Sequence, residues 1–73
     1  MRRRTMMHYD PEVDRWCVDR NGWNYGLHCG EVVEIHIGGK PIPCSLEWSQ
    51  DWYVILEDVR FILRTTDKYI VSY

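Results

Sequence analysis

Three cysteines and three histidines are the residues of this 73-residue chain best equipped for chemistry: Cys17, Cys29 and Cys44, with His8, His28 and His36. Together they cover the ligand types that zinc takes. Their spacing does not. No Cys-x-x-Cys occurs, and no two histidines stand at the short spacing of a ligand pair. Cys44 alternates with Ile42, Leu46 and Trp48, which marks it as a small core residue. His28 and Cys29 are neighbours and would leave a strand on opposite sides. No metal is expected.

The run Leu27-His28-Cys29-Gly30 offers a second chemistry, a reactive thiol. A thiolate needs a cation or a dipole within reach, and adjacency in sequence does not bring the imidazole there. The expected role is structural. Gly30 takes a backbone conformation closed to a side chain, Cys29 packs, and His28 caps a backbone group. The carboxylates Glu31, Glu34, Glu47, Glu57 and Asp58 fall on polar faces or turns. A chain this short has no insertion from which to build a deep cleft around a pair of them. Gly38-Gly39-Lys40 opens into Pro41 rather than a helix, so it is no phosphate loop. Neither catalysis nor a cofactor is expected.

The elements that position these residues are strands. Alanine is absent, and Val, Ile, Trp, Tyr and Thr dominate. Hydrophobic residues make up 45%, with four Trp and five Tyr; that is enough for a single folded domain without staples. Period-two alternation predicts strands near 15–20, 31–37, 40–48, 51–57, 59–65 and 69–73. Val33, Ile35 and Ile37 share a face, as do Ile42, Cys44, Leu46 and Trp48. Trp52, Val54 and Leu56 form a third set, and Val59, Phe61 and Leu63 a fourth. Trp48 and Trp52 are expected in the core. Asn21-Gly22 and Gly38-Gly39 mark tight turns, and Pro43 marks a strand side without a partner. Trp23-Asn24-Tyr25-Gly26 is too polar for a confident strand, and Glu57-Asp58 has room for a single helical turn. The fold expected is all-β: a five- to six-stranded antiparallel meander curled into a small SH3-like barrel. Residues 1–8, with Arg2, Arg3 and Arg4, are expected to form a flexible basic arm, and residues 9–73 the barrel domain.

The order Leu27-His28-Cys29-Gly30-Glu31-Val32-Val33-Glu34-Ile35, then Gly38-Gly39-Lys40, Leu46-Glu47 and Asp51-Trp52-Tyr53-Val54, resembles a family of small uncharacterised domains of Firmicutes and of their phages and conjugative elements. The likeness spans residues 9–65. It implies a small β-domain in a mobile-element setting, and it implies no activity.

Function is left to surfaces. Net charge is −2 overall, but outside the arm six Lys/Arg face eleven Asp/Glu, a net of −5. An acidic body is not the footprint of a duplex binder. The odd cysteine count argues against a closed disulfide framework, and no apolar run is long enough to span a bilayer. No secretory signal is visible, so a reducing cytoplasm and no membrane are expected. Trp23, Tyr25 and Tyr53 exceed what a small core can hold; they either anchor an interface or close one end of a barrel. The first expectation is a protein-interaction module whose partner is a host protein or a second copy. The alternative is a single-stranded nucleic-acid binder, with Arg60 and Arg64 flanking Ile62 and the arm Arg2–Arg4 supplying charge.

Overall fold

The computed structural model describes residues 2–73. It is all β: β1 (Arg4–Asp10), β2 (Arg15–Arg20), β3 (Trp23–Gly26), β4 (Val32–Ile37), β5 (Lys40–Trp48), β6 (Trp52–Leu56), β7 (Val59–Ile62) and β8 (Tyr69–Ser72). All pairings are antiparallel, in one sheet of order β3-β2-β1-β8-β4-β5-β6-β7. No helix is present among the described residues, and none is long and apolar enough to cross a membrane.

This order corrects the meander. Two local meanders, β1-β2-β3 and β4-β5-β6-β7, are bridged by the last strand, β8, which inserts between β1 and β4. The strand count is eight rather than five or six. The sheet is also open, not a closed barrel: among the described residues no pairing joins β3 to β7. Closure would need two long complementary edges, and both terminal strands have only four residues.

Alternation sorts the side chains as expected for most strands. Met7, Trp16, Val18, Val33, Ile35, Leu46, Val54 and Val71 are buried on one face and form a single core with Leu27, Leu63 and Trp52. Cys44 joins them. Trp48 does not: it is 53% exposed and packs edge-on against Trp52, ring centroids 6.5 Å apart. It is the last residue of β5, where the inner face is no longer fully covered, so alternation alone does not bury it. The rings of Tyr9 and Tyr69 close on Trp16 at 5.8 and 5.6 Å. The indole N–H groups of Trp16 and Trp52 are buried and meet no acceptor, a cost that the packing of the rings must offset.

The N-terminal segment is where sequence and structure differ most. Residues 4–10, read as mostly flexible arm, form β1, paired to β2 on one side and β8 on the other. Arg3 adds reciprocal backbone bonds to Tyr73, 3.1 and 2.9 Å. Thr5, Met7 and Tyr9 turn inward and Met7 is fully buried. Met1 lies outside the described residues.

The hairpins are tight. Asn21-Gly22 joins β2 to β3 with both φ values positive, as a type I′ turn requires. Glu57-Asp58, read as a place for a helical turn, joins β6 to β7 in the same way, with φ of 50° and 66°. Two side-chain-bearing residues in the left-handed region each cost about 1–2 kcal/mol. Glu57→Asn, which suits that region better, is therefore expected to raise stability by about 0.5–1 kcal/mol in urea unfolding.

Candidate functional site

The predicted site residues divide between the two ends of the sheet. At one end, β6 and β7 expose their outer face and β7 its free edge. Tyr53 and Arg60, singled out separately from sequence, come together there, the guanidinium carbon 4.2 Å from the ring centroid. Tyr53 stands opposite Ile62, and Ile55 opposite Arg60. Every residue of β7 is exposed, Val59 at 59% and Ile62 at 56%. On the inner side, Phe61 also remains partly open and meets Tyr69 edge-on at 6.2 Å. It borders an apolar groove with Leu56, Ile37 and Tyr69.

The β7 edge is open in a second sense. Leu63 donates its N–H to the Trp52 carbonyl, 3.0 Å, in register with the β6–β7 ladder. Antiparallel pairs alternate between hydrogen-bonded and non-bonded, so Phe61 and Val59 also turn their backbone groups to β6. Arg60 and Ile62 must turn theirs outward. A second uncovered stretch of edge, on β5, is closed off. β6 pairs β5 only from Ser45 to Trp48, which leaves residues 40–44 of β5 free on that side. Pro41 and Pro43 fall there, and neither has an N–H to offer. The expectation for Pro43 therefore holds. β7 carries no such block.

At the other end, β2, β3 and the end of β8 gather a second group. Trp23 is 77% exposed. Tyr25 stacks on Tyr73 with centroids 5.8 Å apart and 26° between planes, and the Arg20 guanidinium sits 5.6 Å over the Tyr73 ring. Arg3 donates to the Asn21 amide oxygen at 3.3 Å. Arg20, Trp23, Asn24 and Tyr25 line an open cleft of about 450 Å³. Arg20 and Tyr73 were not singled out from sequence. The Arg20–Asn21–Gly22–Trp23 hairpin was the available signal, since it places Arg20 directly across from Trp23.

The remaining arginines do not join one groove. Arg2 lies 4.0 Å from Glu34. Arg4 sits on β1 opposite Ser72. Arg64 is past the end of β7, 3.7 Å from Asp67, with its backbone N–H donating to the Tyr69 hydroxyl. In sheet order four strands separate β1 from β7. The stripe of Arg2–Arg4 with Arg60 and Arg64 is thus split.

The Leu-His-Cys-Gly run has a structural organiser that the sequence reading missed, Glu31. Its carboxylate accepts the His28 backbone N–H at 2.6 Å and the Tyr73 hydroxyl at 2.5 Å. Leu27 is fully buried and donates to the Trp16 carbonyl. Gly30 has φ of +88°, the conformation expected for it. Cys29, expected to pack, is exposed beside Trp48. The His28 ring caps no backbone group; its Nδ1 meets Arg15 at 3.2 Å. Among the described residues no group of three or more His, Cys, Asp or Glu is placed to hold a metal ion.

Burial and the bond to Glu31 push the Tyr73 phenol well above its ordinary value of 10.0. The folded state then keeps a proton that the unfolded chain loses. Its contribution is complete below about pH 10 and falls as pH rises beyond it. Alkaline titration of the wild type should show stability declining above pH 10. Tyr73→Phe should be less stable at neutral pH and decline less steeply.

A family model described as a domain of unknown function, DUF5348, matches residues 5–73. The crystal structure of a protein from Ruminococcus gnavus is similar, with a TM-score of 0.76 at 27% identity, covering 97% of this chain and 100% of that one. Comparison with curated proteins gives no match. With a model spanning nearly its whole length and a solved structure of the same fold, the chain belongs to the DUF5348 family of domains of unknown function.

Proposed function

We propose that this domain is a non-catalytic protein-interaction module that works through β7 and the outer face of β6–β7. One observation carries the reading: β7 is an edge strand exposed at every residue, apolar at Val59, Phe61 and Ile62, with its outward backbone groups unblocked. A partner strand added there gains main-chain hydrogen bonds, while Ile55, Ile62 and the Tyr53–Arg60 pair read its side chains. Three free thiols suit a reducing cytoplasm. In the phage or mobile-element setting that the resemblance of the Leu-His-Cys-Gly-acidic run implies, the partner is a host protein or another copy of the domain. The test compares immobilised wild type with Ile62→Lys in nuclease-treated lysate of the producing cells. Proteins held by the wild type and lost by the variant support the reading. Identical sets from both chains count against it.

A second reading has its own observation. Arg3 and Arg20 lie at the end of the sheet where Trp23, Tyr25 and Tyr73 present their rings. A base can stack on Trp23 while the guanidinium groups meet phosphates, the chemistry of single-strand binding. Binding of a labelled oligonucleotide should then fall steeply with salt and weaken in Arg20→Ala and Trp23→Ala. Binding indifferent to both refutes it.

A further inference from the structure

We propose that the strand completing the β7 edge is β7 of a second copy of this chain, paired antiparallel about a two-fold axis at Phe61. The proposal rests on the interaction reading above and names its partner. The outward backbone groups belong to Arg60 and Ile62, two residues apart. A two-fold antiparallel pair built on them has three short registers. Centring on Arg60 sets that guanidinium against its own copy. Centring on Ile62 sets Arg60 against the copy's Arg64. Like charges directly opposite each other oppose pairing. Centring on Phe61 places Arg60 opposite the copy's Ile62, twice, so each outward N–H meets an outward carbonyl. It also brings Asp58, in the turn before β7, to the level of the copy's Arg64, twice, with opposite charges. The charge pattern therefore leaves one register.

The rest of the edge agrees with a pair that is selective rather than indiscriminate. The free half-edge of β5 is blocked by Pro41 and Pro43. The β3 edge turns outward Asn24 and Gly26, residues poor at holding a strand. At β7 the exposed inner residue Phe61 would be covered by Phe61 of the second copy. An isologous contact of this kind closes on itself and stops at two chains.

Sedimentation equilibrium of the full chain, from micromolar to millimolar concentration, tests this. The wild type should shift from monomer to dimer and no further. Ile62→Lys places a cation opposite the copy's Arg60 on an exposed position and should weaken the dimer at least about tenfold. Val32→Lys, exposed on β4 away from the edge, should leave it unchanged. Asp58→Arg should weaken the dimer, and adding Arg64→Asp to it should restore association. Circular dichroism confirms that each variant is folded. A wild type that stays monomeric at millimolar concentration overturns the proposal, as does a dimer that survives Ile62→Lys. Either result leaves the wider interaction reading to the lysate comparison, which does not depend on self-association.

Discussion

Deleting residues 2–9 is expected to unfold the domain. A flexible arm would be dispensable, but β1 lies inside the sheet. Its register joins Met7 to Val18 and Tyr9 to Trp16 on one side, and Thr5 to Val71 and Met7 to Tyr69 on the other. Removing it leaves β2–β3 without a hydrogen-bonded link to the rest of the sheet, because β8 reaches β2 only through β1. It also takes the fully buried Met7 out of the core. Truncating a single buried side chain of this size to Ala already costs about 2–5 kcal/mol. A domain of this length has little stability to spare. Thermal melts followed by circular dichroism should show no cooperative transition for the deleted chain. Arg2→Ala and Arg4→Ala, which alter only exposed side chains, should each stay within about 0.5 kcal/mol of the wild type. A deleted chain that melts like the wild type would restore the arm reading.

Trp16→Ala is the second large effect. Trp16 is fully buried between Tyr9 and Tyr69, the largest side chain at the centre of the core. Its loss removes two aromatic contacts and leaves a cavity that the flanking strands cannot collapse to fill. The expected cost is about 3–5 kcal/mol in urea unfolding. Trp16→Phe keeps a ring and removes the unpartnered indole N–H, so it should remain folded. Trp48→Ala is the contrast on the same kind of alternating strand. With Trp48 half exposed, it should cost much less. Equal losses at the two tryptophans would show that the core is not centred where the structure puts it.

The contrast shows what the sequence could reveal. β4 to β7 were legible because each alternates cleanly and is bounded by a turn signal: Gly38-Gly39, the Ser49–Asp51 reversal and Glu57-Asp58. β1 was hidden because its inward set, Thr5, Met7 and Tyr9, is less apolar than those of the other strands, and because it opens on the last of three successive arginines. Yet the alternation is there, against Arg4, Met6, His8 and Asp10. β3 was hidden because an edge strand needs little apolar content. The insertion of β8 between β1 and β4 could not be read, since no local pattern encodes which distant strand a segment joins. Barrel closure fails for the same reason: alternation reports one covered face, not whether the two edges meet.

Of the residues that the two candidate surfaces bring together, Trp23, Tyr25, Tyr53 and Arg60 stood out in the sequence as large or charged side chains outside the core. The sequence reading missed Arg20 and Tyr73, whose partners become visible only once β2, β3 and β8 are in place. It also missed that β7 is an open edge strand. Edge exposure is a property of sheet order, and Val59, Phe61 and Ile62 look like ordinary strand residues until that order is known.

The most direct test of the β7 account is residue-resolved amide hydrogen exchange at rising protein concentration. Arg60 and Ile62 direct their N–H groups away from β6, while Phe61 is held in the ladder opposite Val54. In dilute solution the Arg60 and Ile62 amides should exchange freely and Phe61 slowly. As concentration rises, Arg60 and Ile62 should gain protection together, and Ile62→Lys should abolish that gain. If both amides still exchange freely at millimolar concentration, β7 is not joined to a second copy.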